Sequence, residues 1–190
     1  MRRRLLPAAA AAVLALGVAG CTANPQDDTV VWTGRLCDTA RSFLEAARTT
    51  PAAQAEPVAQ ARELRRHLDT TLTALDATAS GLGRLGPSPV DGGDDAVIGL
   101  GDRLRQYREA FRSARAAVDA LGTTSADAVR DGLPAALAPL DQLRIPTGDD
   151  LRGTPELSAA ADRAPACERL RQAAPGAPAA DVQTLAARPV

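Results

Sequence analysis

The sequence predicts an all-α fold: a four- to five-helix up-and-down bundle built on a long central helical hairpin. Three observations carry that reading. First, Val97, Leu100, Leu104, Tyr107, Phe111, Ala114, Val118 and Leu121 follow one another at steps of three and four, a heptad seam of the kind that packs helices at a shallow angle. Second, Ala61, Leu64, Leu68, Leu72, Leu75, Ala79 and Leu82 do the same in the stretch before it. The break between the two is short, Gly86-Pro87-Ser88-Pro89-Val90-Asp91-Gly92-Gly93, so two long helices should lie antiparallel. Third, aromatics make up 2% of a chain that is 45% hydrophobic, which leaves Leu, Ala and Val to build the core. Strands favour β-branched and aromatic residues, and packed helices do not need them. No internal repeat and no convincing strand is visible.

The chain opens on Met1, Arg2, Arg3 and Arg4, then an apolar run from Leu5 to Val18, then small residues and a cysteine. A charged start, a short apolar core and a small-residue exit describe a secretory signal peptide over residues 1–20. The run is shorter than the roughly 20 residues a spanning helix needs, and Pro7 also argues against one. The arginines before Leu5 and Leu6 also fit a twin-arginine export signal, but so short a charged region favours the general secretory route.

Val18-Ala19-Gly20-Cys21 resembles the lipobox of bacterial lipoproteins: aliphatic, small, small, Cys. The resemblance implies cleavage before Cys21, a diacylglycerol on its sulfur and a further acyl chain on its new amino group. At about 0.8 kcal/mol per buried CH₂, several chains on one residue exceed the marginal hold of one. The expected location is the extracytoplasmic face of the cell membrane, with the lipid anchor as the contact to the membrane.

Residues 21–29 read as a polar tether reaching about 25 Å when extended. Trp32 has two readings, at the lipid interface or, as is commoner, covering the end of the core. The first helix is expected over residues 30–49, with Leu36, Ala40, Phe43, Leu44 and Ala47 on one face and Pro51 beyond its end. The second should begin near Glu56 and Pro57, with proline in the first turn, and run to about Leu85. The third spans residues 94–121, roughly 40 Å at about 1.5 Å per residue. Ser125 can cap a fourth helix marked by Val129, Leu133, Leu137, Leu140 and Leu143. Pro134 and Pro139 predict a break near residues 132–134 and a kink near 139, and Ile145-Pro146-Thr147-Gly148 should end it. Thr154 and Pro155 offer a cap and a first-turn proline for a fifth. Pro165 restarts a short turn bearing Cys167 and Leu170. The bundle domain is therefore placed at 30–174 and a loose Pro/Ala-rich tail at 175–190.

Removing residues 1–20 takes three of the 22 basic residues and none of the 23 acids, leaving a net charge of −4 on 170 residues. That length suits one domain, and a mildly acidic exported domain is a poor partner for nucleic acid. Every basic residue is arginine. With no lysine anywhere, Ser–Lys chemistry is excluded.

Of the three cysteines, Cys21 leaves by lipidation. Cys37 and Cys167 remain in an oxidising setting and are expected to pair, tying the first helix to the last. Loop closure over 130 positions is worth about 5 kcal/mol in the chain-entropy model. No Cys-x-x-Cys spacing supports a redox-active pair.

Catalytic candidates are weak. His67 is the one histidine and reads as a surface helix residue. With no Glu-x-x-His pairing, no second histidine and no free cysteine, neither a di-iron nor a zinc or copper site is expected, and no cofactor is. Gly-x-Ser-x-Gly is absent. Asp91, Asp94 and Asp95 lack the spacing of a calcium loop and read as acids favouring a helix start. The distinctive surface feature is Arg105, Arg108, Arg112 and Arg115, one stripe beside the seam. Its plain reading is a solvated face partly neutralised by Asp102, Glu109 and Asp119. Its sharper reading is an anion-binding stripe for phosphate head groups or an acidic envelope component.

Beyond the lipobox, the chain resembles in style the small helical lipoproteins of high-GC Gram-positive bacteria, with one cysteine in the first helix and another near the end. The expected function is a non-enzymatic, lipid-anchored binding or scaffolding module facing another envelope component. The alternative is a carrier or sensor of a small apolar or anionic ligand. A pocket near Pro134–Pro139 would favour that alternative.

Overall fold

A computed structural model describes residues 25–121, 125–143 and 153–172. The signal segment, Cys21, the 144–152 connection and the tail from 173 lie outside the described residues. Six helices and no strand occur among the described residues: α1 (Pro25–Arg48), α2 (Pro57–Leu82), α3 (Gly93–Leu121), α4 (Ala126–Asp141), α5 (Pro155–Arg163) and α6 (Pro165–Gln172). The all-α bundle is as predicted, with the turn expected after Pro165 forming a sixth helix.

The central hairpin of α2 and α3 carries two core halves, one at each end. Towards the α2–α3 turn, Leu75 and Leu82 of α2 and Leu104 and Tyr107 of α3 pack with Trp32, Leu36, Phe43 and Leu44 of α1 and with Leu157 of α5. At the other end, Ala61, Leu64 and Leu68 pack with Ala114 and Val118 of α3 and Val129, Leu133, Ala136 and Leu137 of α4. Thus α1 covers one half of the hairpin and α4 the other, while α5 and α6 pack on the outer side of α1. Trp32 is buried, and its indole N–H donates to the Gly86 carbonyl at 3.4 Å, tying α1 to the α2–α3 turn. This is the core reading of Trp32.

Three elements depart from expectation. Residues 25–29, expected as part of the tether, are the first turns of α1. Pro25 is preorganised for a helix start and Asp27 and Asp28 favour its positive end, so the chain turns helical before its apolar face begins. Secondly, α4 runs unbroken through Gly132, Pro134 and Pro139. Pro134 is exposed, on the side away from the buried Val129, Leu133, Ala136 and Leu137, so the carbonyl that its missing N–H frees can be hydrated. Gly132 serves packing: a Cβ there would come within 2.5 Å of Leu121 Cδ2, so its absence lets α4 lie close to the end of α3. Thirdly, Thr154 precedes α5 as expected but makes no side-chain cap; Pro155 alone starts the helix. Ser125 does cap α4, accepting from the Ala128 N–H at 3.3 Å.

The α2–α3 turn is tight. Gly92 has φ +73°, a backbone state that favours glycine, and a Cβ on the buried Gly93 would lie 1.9 Å from Ser88 Oγ. Asp94 Oδ1 accepts from the Ser88 N–H at 2.7 Å, which ties the connecting turn to the first turn of α3.

Cys37 and Cys167 form a disulfide, with their Cα atoms 5.1 Å apart, and both are buried against Ala164 and Ala166. Beside them Thr33 is fully buried and its hydroxyl has no hydrogen-bond partner. The buried Thr71 and Thr78 do have partners, donating to the carbonyls of His67 and Thr39. An unmet hydroxyl costs roughly 1–3 kcal/mol of desolvation. Thr33→Val keeps the shape and removes the polar atom, so it should stabilise the fold by about 1 kcal/mol. A urea midpoint below that of the parent would refute this.

Candidate functional site

The two core halves do not quite meet. Both covering helices reach the middle of the hairpin at their C-terminal ends, α1 at Arg48 and α4 at Asp141, and a half-open cleft of about 80 Å³ is left between them. Its floor is α2 and α3, through Leu64, His67 and Leu68 on one and Tyr107 and Phe111 on the other. Phe43 and Ala47 of α1 form one wall, and Leu140, Asp141 and Leu143 form the other. The Phe43 and Tyr107 rings stack with centroids 5.9 Å apart, which stiffens that corner. The lining is apolar except for His67, Tyr107 and Asp141.

His67 is therefore not the surface residue its neighbours suggest. It is half-buried, because the hollow between α1 and α4 encloses the flank of α2 next to the seam. Burial pulls its pKa below the ordinary 6.5, while the Glu63 carboxylate pulls weakly the other way. A base with a depressed folded pKa leaves stability intact above its unfolded value and loses it as the pH falls. Below about pH 6.5 the unfolded chain takes up a proton that the folded chain resists. His67→Gln should thus flatten the stability profile between pH 7.5 and 5, read as urea midpoints for both proteins across that range. Parallel profiles would show that His67 contributes nothing.

The arginine stripe is largely engaged in ion pairs. Arg108 pairs with Asp76, and Arg115 pairs with Asp69 at 3.0 Å, both across the hairpin to α2. Arg65 of α2 returns the arrangement to Asp119 at 2.8 Å. Arg105 pairs with Asp102 on its own helix. Only Arg112 of the four is exposed with no ion pair among the described residues. Asp102 and Asp119 neutralise as expected; Glu109 takes no part. Three of the four guanidinium groups are matched to carboxylates, and with Arg65–Asp119 the cross-helix pairs form a charge ladder along α2 and α3. Exposed pairs of this kind contribute about 0–1 kcal/mol each, and their role is register.

No group of three or more His, Cys, Asp or Glu side chains that could hold a metal occurs among the described residues. Among the described residues no serine or carboxylate is hydrogen-bonded to the His67 imidazole. Cys37 and Cys167, both buried in the disulfide, have a structural part. Cys21 lies outside the described residues. What sequence reading missed was the cleft itself, together with Tyr107 and Asp141 as its polar groups. No family model, curated protein or solved structure matches this chain.

Proposed function

We propose that this chain is an exported, lipid-anchored binding protein of the cell envelope that takes a small, mainly apolar ligand into the cleft between α1 and α4. The observation that supports it is the cleft: an apolar hollow with a few polar groups, which is the usual form of a small-molecule site. It lies at the C-terminal end of α4, beyond the Pro134–Pro139 stretch near which a pocket was expected for the carrier alternative. The surface expected to serve scaffolding is less favourable. Its arginines are largely paired, and the strongly exposed large hydrophobics among the described residues are the single side chains Val31 and Ile98.

The anchor belongs to the same proposal. Among the described residues no helix is long and apolar enough to cross a membrane, and in this proposal Cys21 carries the attachment. With α1 beginning at Pro25, four residues on, an anchored bundle would stand within about 14 Å of the lipidated residue. Cys21→Ala should leave an unlipidated precursor, seen in the intact mass of the membrane fraction.

The cleft is tested by filling it. Ala47→Leu with Leu64→Phe adds volume at two walls and should abolish the binding of a small apolar probe, 1-butanol, read from the methyl NMR shifts of Leu140. The melting temperature should stay within a few degrees of the parent. Undiminished probe binding in a folded variant would rule the cleft out.

A further inference from the structure

We propose that the ligand of this cleft is a small organic amine, its short apolar body seated among Phe43, Leu68 and Phe111 and its ammonium group against the Asp141 carboxylate. The inference rests on the cleft being a binding site and adds the charge and size of what it holds.

Asp141 is the reason. It is the one acidic side chain in the lining among the described residues, and burial disfavours the charged form of His67. It is also the last residue of α4. The final carbonyls of a helix carry partial negative charge, and a carboxylate placed there works against the helix. No basic residue stands in the last turn of α4 to offset it, and Asp141 has no ion pair or hydrogen bond among the described residues. The end of α1 differs: Ala47 lines the facing wall, but Arg48 in the last turn compensates that helix. Glu63, the acid whose charge acts on His67, is already paired with Arg66. The unmatched negative potential thus lies at one place, the rim formed by Asp141 and the end of α4.

A cation is what such a rim favours. The aromatic rings of Tyr107 and Phe111 line the same cleft, and ring faces attract a cation within about 6 Å. The neutral imidazole of His67 offers a lone pair to an ammonium N–H. A carboxylate ligand would meet like charge, which turns against the anionic ligand considered from the sequence. Size follows from volume. The hollow is about half of the roughly 150 Å³ that accommodates benzene, so about three carbons seat inside it and the rest of a short amine, with its ammonium, stands at the open rim.

The test uses the full chain, purified in detergent, with butylamine, 1-butanol and butyrate as probes of equal body and different charge. Binding is read from the methyl NMR shifts of Leu68 and Leu140. Butylamine should bind at least fivefold more tightly than 1-butanol, and butyrate more weakly than either. In Asp141→Asn the preference for the amine should fall to near unity while 1-butanol still binds. That variant should melt no lower than the parent, because it removes an acid from a helix end. Equal binding of amine and alcohol, or an amine preference that survives Asp141→Asn, overturns the amine assignment and leaves the cleft standing. No shift with any probe overturns both.

Discussion

Replacing Cys37 and Cys167 together by alanine should lower the unfolding free energy by about 2–5 kcal/mol, with α5 and α6 the first elements to come away. The disulfide closes a separation of 130 residues, and a loop that long restricts the unfolded chain strongly. Local topology sharpens the expectation. Helices α5 and α6 are nine and eight residues long, and their packing is on α1 and on each other. Isolated helices so short are marginal in water. Without the disulfide they rest on a small cluster, chiefly Leu157, Ala160, Ala164 and Ala166. Hydrogen exchange on the double variant should therefore show protection lost across residues 155–172 and kept in α2 and α3. Loss of protection everywhere at once would mean that the C-terminal pair is integral to the bundle's folding unit.

Leu75→Ala should cost about 2–5 kcal/mol, comparable to loss of the disulfide. Leu75 is 1% exposed and stands where α1, α2 and α3 meet. Its neighbours Trp32, Phe43 and Tyr107 are large and few, and the rest of that core half is leucine, so little can move in to fill the gap. The cost grows by about 24 cal/mol for each Å³ of cavity that remains. Against a total stability of about 5–15 kcal/mol for a domain of this kind, the variant should unfold at a distinctly lower urea concentration. A loss below about 1 kcal/mol would mean that the core half collapses around the smaller side chain.

The hairpin was legible in the residues themselves. The stripes on α2 and α3 are local patterns, and the positions they named, among them Leu64, Leu68, Leu75, Leu104 and Val118, are buried. One further signal was present and unused. Along α2, Arg65, Asp69 and Asp76 are spaced by four and then seven residues; along α3, Asp119, Arg115 and Arg108 run back by the same steps. Opposite charges at matched spacing on two antiparallel helices give the register directly. Pro134 suggested a break that α4 does not have, because a proline's effect depends on which side of the helix it faces, and that is settled by what packs on the other side. The start of α1 was masked by its polar composition. The cleft was not readable at all. It exists because α1 and α4 both stop at the middle of the hairpin, and helix ends meeting in space leave no mark at any one position. His67 changed from surface to lining for the same reason.

The disulfide also bears on shedding. The segment 49–56 between α1 and α2 is non-helical and largely exposed, the sort of place where proteases nick. A cut there, or at any single bond between residues 38 and 166, divides the chain but frees neither piece, because Cys37 remains joined to Cys167. With the proposed anchor on the α1 side, every helix would stay on the membrane until the disulfide was also reduced. The stretch where one cut releases the bundle is the one between Cys21 and Cys37, and from Pro25 onward that stretch is helix.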